Sequence, residues 1–129
     1  MYLGADSVYA ITLDRNKLRK KHINALNKDL DLNINIIQGI DNKDVIPLTD
    51  EFIENNIGDW FFDPAGWYSV GILCCALSHR KAWKAFLDSG DEVGLFLEDD
   101  AMPTWHIHSY DFNAVRNELD TLDWGVCWY

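Results

Sequence analysis

SVYAITLDRNKLRKKHINALNKDLDLNINIIQG, residues Ser7 to Gly39, changes its hydrophobic period twice. Ser7 to Leu13 is a short apolar run rich in β-branched residues and reads as a strand. From Arg15 to Leu30 the apolar residues recur at helical spacing, which predicts a helix with Leu18, His22, Leu26 and Leu30 on its buried face. Leu32 to Gln38 alternates through Leu32, Ile34 and Ile36 and stops at Gly39, a second strand. Strand, helix and strand in this order predict a βαβ unit with parallel strands and a right-handed crossover.

Beyond it, Asp41 to Pro47 reads as a loop. Thr49 is placed to cap a short helix that opens on Asp50 and Glu51, the charge sign a helix N-terminus favours, and stops at Gly58. WFFDPAGWY, Trp60 to Tyr68, gathers five aromatics around Pro64 and Gly66 and reads as an ordered loop folded onto the domain. Ser69 to Ser89 is a long helix with Ile72, Ala76, Trp83 and Phe86 along its buried stripe and Gly90 as its stop. Val93 to Leu97 is a continuous apolar strand expected to be covered on both faces. A helix capped by Asp111 and carrying Phe112, Val115, Leu119 and Leu122 leads into a last apolar run, Trp124 to Tyr129, which reads as a strand. With no repeat and no Gly/Ser linker, residues 1–129 are expected to form one α/β domain, and a chain that stops inside a strand is expected to be the N-terminal part of a longer fold.

A chain of 129 residues with 48% hydrophobic content can bury a core, so disorder is excluded. Its formal charge of −10 repels polyanions and argues against a nucleic-acid partner. A single diphosphate is another matter, since a cation and a few local donors hold it even on an acidic protein. No signal-peptide pattern opens the chain and no apolar stretch approaches about 20 residues, so a cytoplasmic protein without a membrane span is expected. Cys74, Cys75 and Cys127 lack Cys-x-x-Cys spacing and read as buried thiols rather than a disulfide or zinc cluster.

Three constellations carry chemistry. Glu98, Asp99 and Asp100 follow an apolar strand and so emerge at its carboxyl end, where open α/β sheets bind ligands. Strand alternation sends Glu98 and Asp100 to one side and Asp99 to the other. Two carboxylates about 4 Å apart repel by about 4 kcal/mol at an effective dielectric near 20, which a cation or protonation must relieve. Oxygen ligands at this density suit Mg²⁺ or Mn²⁺; the ordinary alternative is a solvated acidic cap on the turn before Pro103. Receiver domains also end a strand in Glu-Asp-Asp, but theirs is the first strand, and the 29 residues after Asp100 are too few for the rest of that fold.

The second constellation is Gly71-Ile72-Leu73-Cys74-Cys75-Ala76-Leu77-Ser78-His79, with Trp83 one turn on. Neighbouring side chains on a helix diverge by about 100°, so Ser78 and His79 are not a nucleophile and its base. One is expected to hydrogen-bond to ligand or sheet and the other to pack. The third is Thr12-Leu13-Asp14-Arg15 with Arg19, where two arginines at i and i+4 near a helix N-terminus can face a phosphate, or simply be solvated. His106 and His108 flank Ile107 without a partner at zinc-ligand spacing and are not expected to bind metal.

Taken in order, these three segments resemble glycosyltransferase family 25, which includes lipooligosaccharide galactosyltransferases of lipopolysaccharide biosynthesis and the procollagen galactosyltransferases. The resemblance runs from about Val8 to Tyr129 and includes Asp123-Trp124. It implies a GT-A fold, a Rossmann-like, mostly parallel sheet flanked by helices, that binds a UDP-sugar with Mn²⁺ or Mg²⁺. Carried onto matching positions, Glu98 and Asp100 would serve metal or ribose with Asp99 supporting them. Thr12, Leu13, Arg15 and Arg19 match the nucleotide-side segment, and Gly71, Ser78 and His79 the helix bordering the donor pocket.

Where family members read Gly-Glu-x-Gly-Cys before Ser-His, this chain has Gly71-Ile72-Leu73-Cys74-Cys75, without the acidic residue and second glycine. The family's acceptor half, which would bring the catalytic base, is not matched, so no base is assigned. The resemblance implies transfer of a hexose, galactose foremost, from a UDP-sugar to a glycan or hydroxylated acceptor by direct displacement. The alternative is a non-catalytic module that keeps the fold to pack, through the Trp60 to Tyr68 loop, on a partner chain or a second copy.

Overall fold

Of the six residues of the first strand, β1 (Ser7–Thr12), only Ile11 is not buried, and the fold is built around it. The computed structural model describes residues 3–43, 70–123 and 125. Within them β1 is followed by α1 (Lys17–Leu30), β2 (Asn35–Gln38), α2 (Val70–Ser89), β3 (Gly94–Glu98), a 3₁₀ turn (Ile107–Ser109) and α3 (Phe112–Leu119). The three strands form one open sheet in the order β2-β1-β3. Both ladders are parallel, with Ala10 opposite Ile36 on one side and Leu97 on the other. This is the Rossmann-like α/β architecture that the alternation of periods predicts. The short helix at Thr49, the aromatic loop, Cys127 and the last strand lie outside the described residues, apart from Gly125.

Alternation along β1 divides the core. Val8 and Ala10 turn to one face and pack with Ile23 and Leu26 of α1 and with Leu32, while Leu95 and Leu97 of β3 close over the same cluster. Tyr9 turns to the other face, stacks on Phe96 at 5.4 Å between ring centroids, and meets Phe86 of α2 edge-on at 6.3 Å. Phe86 in turn stands edge-on to Phe96 at 5.8 Å. These geometries are the ones aromatic quadrupoles favour.

The helices are where expected, but their buried faces are rotated. On α1 the buried residues are Ile23 and Leu26, with Leu30 packed against them, whereas Leu18 is 81% exposed. Residues spaced strictly by four drift about 40° per step around a helix, so Leu18 and Leu30 cannot share a face. On α2 the buried side chains are Leu73, Cys74, Ser78 and Ala82, while Ile72 (54% exposed) and Trp83 (51%) face outward. Small residues at 74, 78 and 82 bring the helix close to the sheet, an advantage that side-chain hydrophobicity alone does not reveal. Cys75 is exposed rather than buried.

β2 begins at Asn35, later than its alternation suggests. Asp31 and Asn33 adopt left-handed backbone angles (φ 51° and 49°), which Asp and Asn tolerate better than other side chains, and so the chain kinks out of α1. Asn27 ties the kink: its carbonyl accepts from Leu32 N (3.1 Å) and its side-chain oxygen from Ile34 N (2.8 Å). Strand β3 is half-buried, since β1 covers one edge and no strand among the described residues covers the other.

Asp111 caps α3 as expected, its carboxylate accepting from Asn113 N and Ala114 N. The surprise on α3 is Arg116, buried although charged. Its guanidinium donates to Asp120 (2.7 Å), Gly4 O (3.2 Å) and Asp6 (3.2 Å), locking α3 to the entrance of β1 and holding the group firmly protonated, Asp120 foremost.

Candidate functional site

Parallel strands deliver their loops to one end, and here those loops enclose a cleft of about 350 Å³. Thr12, Leu13, Arg15 and Arg19 line it from the β1–α1 segment, Gly71, Ser78 and His79 from α2, and Glu98 and Asp99 from the end of β3. Three segments separated by dozens of residues in sequence thus converge on one cavity. Ile11, Asn16, Ile40 and Asn42 also line it without a sequence signal as site residues, as do Cys74 and Cys75, which belong to the second constellation but read as buried thiols.

The acidic run does not continue the strand. Ala101 N returns to Glu98 O (3.1 Å), so the chain turns at Asp99 and Asp100 and the alternation expected of the run ends at Glu98. His22 Nε2 contacts Ala101 O at 2.8 Å and fixes that turn against α1. Glu98 and Asp100 therefore part company. Glu98 faces α2, its Oε1 3.3 Å from His79 Nε2. Asp99 and Asp100 both receive Arg19 NH1, at 2.7 and 2.6 Å, and Thr12 Oγ1 donates to the second oxygen of Asp99 at 3.0 Å.

The cation that relieves carboxylate repulsion in this structure is a side chain. Arg19 is held protonated by its hydrogen bonds to Asp100 and Asp99. Arg15 pairs instead with Asp41 from the β2 exit. The Asp41 carboxyl is held below its ordinary range, first by the Lys43 N–H it accepts (3.0 Å) and then by Arg15. Both arginines keep substantial exposure at the cleft wall, 50% and 42% of the side chain, so each can still meet an anion.

On the α2 side, Ser78 is buried and its hydroxyl is spent on structure: it donates to Cys74 O (2.6 Å) and accepts from Ile40 N (2.8 Å). This joins the helix to the loop after β2. Ser78→Ala leaves the part-buried Ile40 N–H without its partner and is expected to cost about 1 kcal/mol in chemical denaturation. His79 packs against Trp83 (6.0 Å between ring centroids) and points its Nε2 at Glu98. The Cys74 thiol is pushed up chiefly by burial, and that of Cys75, although the residue is exposed, by partial desolvation of its sulfur and then by the nearby Glu98. His106 lies against Trp105 and His108 faces Asp29 at 3.9 Å, in the 3₁₀ segment.

With this geometry in place, comparison with known families is decisive: the model described as glycosyltransferase family 25 (LPS biosynthesis protein) matches residues 5–119. The chain belongs to this family. As a family 25 glycosyltransferase it is matched across every described strand and helix, from two residues before β1 to the end of α3. Membership brings a sugar donor and an acceptor as the substrate classes. No solved structure matches the chain. No helix among its described residues is long and apolar enough to cross a membrane.

Proposed function

We propose that the cleft binds the donor of a metal-dependent glycosyl transfer, a UDP-sugar whose hexose, galactose foremost, passes to a hydroxyl of a glycan or hydroxylated acceptor, within a GT-A architecture. The observation that carries this reading is the cluster of Arg19, Thr12, Asp99 and Asp100 where β1 and β3 end, beside a cavity with a second arginine on its wall. Guanidinium groups and a helix N-terminus suit a diphosphate, and carboxylates beside them suit a ribose hydroxyl or a hard cation.

Mn²⁺ or Mg²⁺ fits the donor set, since Glu98, Asp99 and Asp100 offer only oxygens. Such an ion would supply positive charge to a leaving diphosphate. Glu98 and Asp100, the exposed members of the run, are the carboxylates proposed to hold it, which requires Glu98 to swing from His79 and Asp100 from Arg19 toward a common ion, with Asp99 kept in place by Thr12 and Arg19. Taking Asp100 requires the ion to compete with Arg19. That exchange suits a site that loads metal and diphosphate together, because Arg19, released from one carboxylate, is then positioned to neutralise phosphate oxygens.

Thermal unfolding with UDP, with and without Mn²⁺, tests the reading. UDP with Mn²⁺ at about 100 times its dissociation constant is expected to add about 2.7 kcal/mol of stability. UDP alone should add much less, and Asp100→Ala should remove the metal-dependent part. No metal-dependent gain in the wild type, or an undiminished gain in Asp100→Ala, contradicts it.

A further inference from the structure

Cys75 and His79 stand at i and i+4 on α2, on one face and one turn apart, and Glu98 ends β3 directly across from them. The Cys75 sulfur, a His79 ring nitrogen and a Glu98 carboxylate oxygen all lie within 4.8 Å of one another. His79 Nε2 and Glu98 Oε1 are already 3.3 Å apart. Ligands around one tetrahedral ion with bonds of 2.0–2.3 Å sit roughly 3.3–3.8 Å from each other, so His79 and Glu98 are at chelating distance and the sulfur needs a shift of at most about 1.5 Å.

We propose that Cys75, His79 and Glu98 form a three-ligand site for a borderline-soft divalent cation, Zn²⁺ foremost, with its fourth position open to the cleft. The donor types decide the metal. A thiolate and an imidazole disfavour Mg²⁺ and favour Zn²⁺, and three protein ligands with one open position is the arrangement of reactive rather than closed structural zinc sites. All three residues line the cavity, so the open position faces the space where the donor is proposed to bind. Glu98 is shared with the Mn²⁺ or Mg²⁺ reading, so the two ions would compete for that one carboxylate; the site uses neither Asp99 nor Asp100, and Cys75 and His79 belong to it alone. A bare hydrogen-bonded pair of His79 and Glu98 is the competing account, and it assigns Cys75 no role.

Cobalt distinguishes them, because Co²⁺ bound to a thiolate gives a charge-transfer band in the near ultraviolet. Adding Co²⁺ to the reduced full chain is expected to produce that band with one-equivalent saturation, and one equivalent of Zn²⁺ to abolish it. Cys75→Ser, a change at an exposed helix position, should lose the band while keeping the wild-type far-ultraviolet circular dichroism. His79→Ala and Glu98→Gln should each weaken Co²⁺ binding at least about tenfold, the loss seen on removing even an outer partner of a metal ligand. Asp100→Asn should leave the band unchanged. Absence of the band in the wild type, or its persistence at full strength in Cys75→Ser, overturns the proposal. Either failure leaves the UDP and Mn²⁺ stabilisation test untouched, and failure of that test leaves the band in place.

Discussion

Gly94→Val is expected to destabilise the protein by about 3 kcal/mol, the upper end of ordinary overpacking. A Cβ on Gly94 would lie 2.8 Å from Phe86 Cδ2 and 3.1 Å from two further ring carbons. The ring cannot simply step aside, because Phe86 stands edge-on to both Tyr9 and Phe96 and would give up two aromatic contacts. The sign is informative even for Gly94→Ala: a glycine inside a strand normally gains about 0.5–1 kcal/mol on becoming alanine, whereas here a loss is expected. Urea denaturation of Gly94→Val, Phe86→Leu and the double variant checks the cause. The double variant should be less destabilised than the sum of the singles, by at least about 1 kcal/mol. Simple additivity would place the origin elsewhere.

Arg19→Ala is expected to move two affinities in opposite directions. Removing the guanidinium that lies on both Asp99 and Asp100 frees two carboxylates, so Mn²⁺ in the absence of nucleotide should bind about ten times more tightly. UDP in the presence of Mn²⁺ should bind about 10–100 times more weakly, the range for losing charge-assisted hydrogen bonds to a phosphate. Counting free Mn²⁺ by its paramagnetic resonance signal gives the first number and isothermal titration the second. An arginine that merely anchors the turn would weaken both, and one that is simply solvated would change neither.

The βαβ unit, the parallel pairing and the position of Glu98 to Asp100 at a strand's carboxyl end were all legible in the sequence, because each rests on a change of period or on a local order of residue types. What lay hidden was set by contacts between distant segments. Arg19 stands out in the sequence as a candidate phosphate ligand, whereas its pairing with Asp99, from which 80 positions separate it, does not. Arg116 carries no mark of burial in the sequence; its place is set by Gly4, Asp6 and Asp120, which surround its guanidinium. Of the α2 stripe Ile72, Ala76, Trp83 and Phe86, Phe86 packs on the sheet while the other three face outward, and Cys74, Ser78 and Ala82 take the interior because small side chains let helix and sheet approach. The split between Glu98 and Asp100 follows from a turn that begins one residue earlier than alternation assumes. Cys75 reads as a buried thiol in the sequence because the groups near it in space, His79 one helical turn on and Glu98 across the sheet end, do not fall at a zinc-motif spacing.

A cation and a diphosphate are proposed to meet where β1 and β3 end. Paramagnetic broadening of backbone amide resonances by substoichiometric Mn²⁺, recorded with and without UDP, tests it most directly. Broadening centred on Thr12, Leu13 and Glu98 to Ala101, and deepened by UDP, is the result expected. Broadening that is absent, indifferent to UDP, or centred on acidic residues elsewhere, such as those around Asp91 and Glu92, would contradict the account.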